Sequence, residues 1–217
     1  LTYSGHGDSS VEERQVTLAA EGVELPVATD HNHNTDYAPF QEELGYTNWF
    51  TPVVGNEVTT PIGHFNAFPL NSKDSVPPHK NFATEKPEDW SNLIHGIREK
   101  GAKAIILNHP RWPSAEKGPF GKLALDKKTG SRLGETPFLF DAIELINSTT
   151  PQTPVEAILQ DWFALLNHGD WIMAVGSSDS HTVGDRVGEG RTYVECEDRN
   201  PARIPIQKAA SALANGY

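Results

Sequence analysis

Four short apolar runs in this chain end in a residue able to bind a metal. They are Val27-Ala28-Thr29-Asp30-His31, Val53-Val54-Gly55-Asn56-Glu57, Ile105-Ile106-Leu107-Asn108-His109 and Ala174-Val175-Gly176-Ser177-Ser178-Asp179-Ser180-His181. A buried strand normally ends in a turn residue. The recurrence of His, Glu or Asp there instead predicts a parallel sheet or barrel whose carboxyl ends converge on one metal-binding mouth.

The remaining punctuation fits alternating strands and helices. Ser9 and Ser10 can cap a helix from Val11 to Ala20, with Glu12 and Glu13 in its first turn and Gly22 as its stop. Strands are expected at Leu25 to Thr29, Thr51 to Val58, Ala104 to Asn108, Asp141 to Asn147, Ile172 to Gly176 and Arg191 to Glu195. A further strand, Gly63 to Leu70, returns after the turn Thr60-Pro61-Ile62-Gly63. Helices are expected at Tyr37 to Leu44, Pro87 to Lys100, Pro154 to Asn167 and Ala209 to Gly216. Pro110 to Pro137 has little periodicity and is expected to lie as a long loop over the mouth. The fold class expected from this pattern is α/β, a barrel rather than an open sheet because the ligand-type residues gather at strand ends.

With 217 residues the chain fits a single domain. Cys196 is the only cysteine, which excludes an intramolecular disulfide and a cysteine zinc cage but leaves the compartment open. A formal charge of −11 argues against nucleic acid as a partner, since a basic face would be needed. No run of apolar residues is long enough to cross a bilayer, so no membrane partner is expected. Anionic small molecules stay open, because divalent cations would place positive charge in the pocket of an otherwise acidic chain. Leu1 to Ser10 carries no signal-peptide pattern, and the chain reads as cut at its N-terminus and at its C-terminus.

Imidazole with carboxylate suits Zn, Mn or Fe better than Ca or Mg alone. Asp179 and His181 stand two apart, so extended backbone would aim both into one pocket. Glu57, after an apolar run, needs a cation or donors to offset burial, and a hairpin brings His64 beside it. Arg111 follows His109-Pro110 and is a candidate for binding a phosphate or carboxylate, or for a salt bridge. His33 can be a ligand, a proton donor or a loop residue. His79, His95 and His168 are assigned to structure. Ser177 and Ser178 lack a His/Asp relay at suitable spacing.

These segments resemble the polymerase-and-histidinol-phosphatase (PHP) family of metal-dependent hydrolases. The matching stretches are Thr29-Asp30-His31-Asn32, Gly55-Asn56-Glu57-Val58 with Gly63-His64-Phe65-Asn66-Ala67-Phe68, Asn108-His109-Pro110-Arg111 and Ser178-Asp179-Ser180-His181. Their wording is closest to the branch that includes carbaryl-hydrolase-like proteins. The resemblance implies a distorted TIM-like (β/α)7 barrel holding two or three divalent ions. Glu57 would bridge two of them, with His64 and His109 completing the second site. His31 and His181 would hold the third with Asp8, or with His6 in reserve, and Asp179 would bind the first. The family opens on a strand carrying His-x-His, and Leu1 to Ser10 contains no such pair. The expectation is therefore a barrel lacking its first strand in this sequence.

The implied reaction is hydrolysis of a phosphate ester by a metal-bridging hydroxide. Arg111, with Lys117 or Lys122, would orient the substrate oxygens, and His33 would act as general acid. A carboxylester or carbamate hydrolase and a noncatalytic metal- or ligand-binding domain are the competing expectations.

Overall fold

The computed structural model describes residues 5–74, 89–150, 154–197 and 199–217. His79, Pro87 and Glu88 lie outside the described residues.

Helix α1 (Val11–Ala20) starts on a complete capping box, in which the Ser10 hydroxyl accepts from the Glu13 backbone and the Glu13 carboxylate accepts from that of Ser10. The short strand β1 (Val27–Ala28) follows, then α2 (Ala38–Leu44). The expected strand at 51–58 is divided at Gly55 into β2 (Val53–Val54) and β3 (Asn56–Thr60). A Cβ on Gly55 would lie 2.7 Å from Val27 Cγ1 and 2.8 Å from the Ala28 carbonyl oxygen, closer than any side chain allows. Glycine therefore lets the chain press against β1 as it passes from one sheet to the other.

Strand β4 (Gly63–Phe68) returns beside β3, and then come α3 (Trp90–Glu99), β5 (Ala104–Leu107), α4 (Pro119–Lys122), β6 (Ala142–Asn147), α5 (Val155–His168), β7 (Met173–Ser177) and α6 (Ile206–Asn215). Five strands form one sheet in the order β3-β4-β5-β6-β7, while β1 and β2 make a separate parallel pair. The β3-β4 and β4-β5 pairings are antiparallel; β5-β6 and β6-β7 are parallel.

The expected (β/α)7 barrel is therefore incorrect: the architecture is mixed α/β with an open sheet. The physical reason stands at Thr60-Pro61-Ile62-Gly63. A connection that short can only turn a hairpin, because a parallel crossover needs a dozen or more residues. The expected strand at 191–195 is also absent. There the Thr192 hydroxyl bonds both the N–H and the carbonyl of Gly176, each at 3.0 Å, replacing a backbone ladder beside β7 with a side-chain clasp.

Alternation along the strands builds two different faces. Phe65, Ile105, Leu107 and Ile143 pack with Trp90, Leu93 and Ile97 of α3 and with Ile158 and Leu165 of α5. Phe68, Ala104, Ile106 and Val175 point the other way, toward α6. The 110–137 segment is not a loose cover: Phe120 and Leu123 are fully buried in the first of these cores. A third cluster joins α1 and α2 through Val11, Leu18, Tyr37 and Phe50.

Candidate metal centre

Glu57 and His64 sit on neighbouring antiparallel strands, and the hairpin brings Glu57 Oε1 within 2.9 Å of His64 Nδ1. The run after β1 supplies His31, which makes a parallel bridge to Glu57. His31 Nδ1 lies 3.3 Å from Glu57 Oε2 and 2.5 Å from Thr59 Oγ1. Thr59 in turn donates to the Glu57 carbonyl. Its hydroxyl thus fixes the ring so that Nε2 faces away, and this buried nitrogen has no hydrogen-bond partner among the described residues.

His109 closes the other side of Glu57, with Nε2 3.6 Å from Oε1 and its ring centroid 4.9 Å from that of His64. Its Nδ1 is buried and, among the described residues, unpartnered too. From the opening loop, His6 meets the His31 ring edge-on at a centroid distance of 4.4 Å, and His181 lies 6.0 Å from His31. Among the described residues, His31, Glu57 and His64 form one group able to hold an ion, and His6, His31 and His181 form a second. Ligand atoms within each group lie within 4.8 Å of one another, and His31 belongs to both.

Electrostatics follow this packing. Burial acts to raise the Glu57 pKa, but His109, His64 and His31 together hold it far below the usual carboxylate range. Burial lowers the pKa of His31, with Glu57 only partly opposing it, so the ring favours the neutral form that a cation requires. His109 goes the other way: burial acts to lower it, but Glu57, Glu144 and Asp179 raise it overall.

Four expected site residues are placed differently. Asp8 is pinned between loops, accepting from Val183 N at 3.0 Å while its own N–H donates to the His181 carbonyl, so His6 stands where Asp8 was expected. Asp179 has positive φ, which ends the extended backbone that would have aligned it with His181. Its carboxylate accepts from Asn147 at 2.9 Å and from the Thr150 hydroxyl, while His181 Nδ1 meets its carbonyl at 2.7 Å and lies 3.7 Å from its carboxylate. Exposed His33 bonds Thr35 through Nδ1 at 3.1 Å, outside both groups.

Arg111 is buried against α5. Its Nε and Nη2 donate to Asp161 at 2.8 and 2.7 Å, and Nη1 donates to the Ala115 carbonyl. The guanidinium is a strut between the 110–137 segment and α5, with its fork already filled by a carboxylate. Lys122 donates to the Pro61 carbonyl at 2.5 Å and likewise ties loops together.

No family model matches the chain, and no curated protein matches it.

Two residues at the site went unread in the sequence. Glu144 is buried on β6 and accepts from His109 N at 2.6 Å and from the Ser177 hydroxyl, orienting the loop that carries His109. Its signal was a lone acid inside the apolar strand Ala142-Ile143-Glu144-Leu145-Ile146. Arg14 was legible by helical spacing, since Val11, Arg14, Gln15 and Leu18 make one stripe, and all of them are buried.

Proposed function

We propose that this chain is a metal-dependent hydrolase of the PHP type, acting on a phosphate ester. The supporting observation is the pair of ligand groups that share His31, with Glu57 at the head of one and unpartnered ring nitrogens on His31 and His109. An imidazole-rich set with one low-pKa carboxylate fits Zn, Mn or Fe. Glu57, His64 and His109 would hold one part of the centre, and His6, His31 and His181 the other, His31 through Nε2 because its Nδ1–H is taken by Thr59. Divalent cations bound there supply Lewis acidity that lowers the pKa of water and offsets charge on the attacked ester.

The chain's own contribution is orientation. Thr59 fixes the tautomer of His31, and Glu144 holds the backbone of His109. The Asp179 carbonyl accepts from His181 Nδ1–H, which leaves the Nε2 lone pair for a cation. Because Arg111 is spent on Asp161, it gives no support for phosphate over other esters, and a carboxylester or carbamate is the second reading. Purified protein loaded with Mn or Zn and assayed on p-nitrophenyl phosphate and p-nitrophenyl acetate tests both. Turnover of the phosphate that disappears with EDTA is expected; no turnover of either ester with metal bound would leave the noncatalytic reading.

A further inference from the structure

A cavity of about 380 Å³ is lined both by His31, Glu57 and His181 and by Ala209, Ala210 and Leu213 of α6. Apolar side chains line part of it, among them Leu25, Val27, Val187 and Ala210, and so do the carboxylates of Asp30, Glu144 and Asp179. At the end near His181, Arg14 also lines it.

Arg14 is an unusual group to find there. It lies on the inward stripe of α1 and is only 3% exposed. Nη2 donates to the Thr182 carbonyl at 2.9 Å, but Nε and Nη1 are buried with no hydrogen-bond partner among the described residues. Asp185, Asp8 and Glu13 act on it through space, yet among the described residues no carboxylate stands at ion-pair distance. A buried guanidinium with unused donors carries a penalty that an incoming oxyanion relieves, and its fork matches phosphate or carboxylate oxygens. This contrasts with Arg111, whose donors are satisfied by Asp161.

We propose that this cavity is the substrate pocket, that Arg14 binds the anionic group of the substrate, and that the wall of Leu25, Val27, Val187 and Ala210 takes an apolar body. The substrate class is thus an ester joining a hydrophobic moiety to an oxyanion. The inference rests on the hydrolase reading, because the cavity opens on the proposed metal ligands.

Binding to metal-free protein separates the two. Titration calorimetry of octylphosphonate, octanoate, methylphosphonate and octanol into EDTA-treated protein is the experiment, with metal stoichiometry measured on a parallel sample. Octylphosphonate should bind most tightly, and methylphosphonate and octanol each at least about tenfold more weakly, since one lacks the apolar body and the other the charge. Preference for octanoate over octylphosphonate would assign the oxyanion as carboxylate. Arg14→Met should cost about tenfold or more for either anion and leave octanol unchanged, Arg14→Lys should recover part of the loss, and Ala210→Trp, which fills the apolar wall, should weaken binding of all the octyl compounds. Equal affinity of wild type and Arg14→Met for octylphosphonate would overturn the role of Arg14. Should Arg14→Met not fold, Arg14→Lys and Ala210→Trp both binding like wild type would overturn the pocket. Anion binding intact with no metal bound would sink the metal reading alone, and the reverse would sink only the pocket.

Discussion

His31 and Glu57 are paired twice: their backbones form a parallel bridge, and their side chains meet at 3.3 Å. The bridge is what carries the β1 line past Gly55 and onto β3, so the contact between the two sheets and the contact between two proposed ligands are one feature. Substitutions that disturb the crossing should therefore reach the site.

Gly55→Ala is the direct probe of that crossing. The added Cβ meets Val27 and the Ala28 carbonyl, and a forced contact of this kind typically costs about 1–3 kcal/mol. Chemical denaturation should report a loss in that range. A variant as stable as wild type would show that β1 can move aside.

The buried Arg111–Asp161 pair should behave as structure. Asp161→Ala leaves a guanidinium buried without its partner and should cost about 3–5 kcal/mol in urea unfolding. Replacing both residues with apolar ones should recover part of that loss. If Arg111→Ala raised KM for an anionic ester while unfolding stayed unchanged, Arg111 would be a substrate residue after all.

Glu144 gives a pH dependence with a definite sign. Burial raises its pKa above the ordinary 4.5, so protonation is easier in the folded protein than in the unfolded chain. Its contribution to stability is then fully present below 4.5 and is lost as pH rises through the folded value. Glu144→Gln keeps an acceptor for His109 N, so thermal melts of metal-free protein should show the variant gaining on wild type as pH is raised from 4 to 8. A difference that stays constant with pH would contradict this.

His6 and Asp8 compete for one proposed role. His6→Ala should lower metal occupancy, since its ring packs on His31, whereas Asp8→Asn should alter only the loop at Val183. The reverse result, read by elemental analysis after dialysis, would restore Asp8 as the ligand.

Local elements were legible where chemistry is local. The capping box at Ser10 and Glu13, the short turn before His64 and the apolar runs of β5 and β7 each follow from adjacent residues. Ligand-type residues at strand ends do not by themselves fix a parallel barrel, and the turn before Gly63 requires an antiparallel strand. Thr192 shows another limit: a β-branched run marks a strand, but a hydroxyl can satisfy the same neighbour without one. At the site, Glu57, His64 and His31 could be read from spacing and strand position. The hydrogen bonds that Asn147 and Thr150 donate to the Asp179 carboxylate come from distant sequence, and the partner of Arg111 lies 50 residues away on a helix whose inward acid carries no local mark.

The central claim is that two metal-binding groups meet at His31 and Glu57. Elemental analysis after dialysis against Zn or Mn, comparing wild type with His31→Ala that keeps its far-UV circular dichroism, tests it most directly. At least two ions per wild-type chain and loss of at least one of them in the variant are predicted; equal occupancy in the two proteins, or none in wild type, would contradict it.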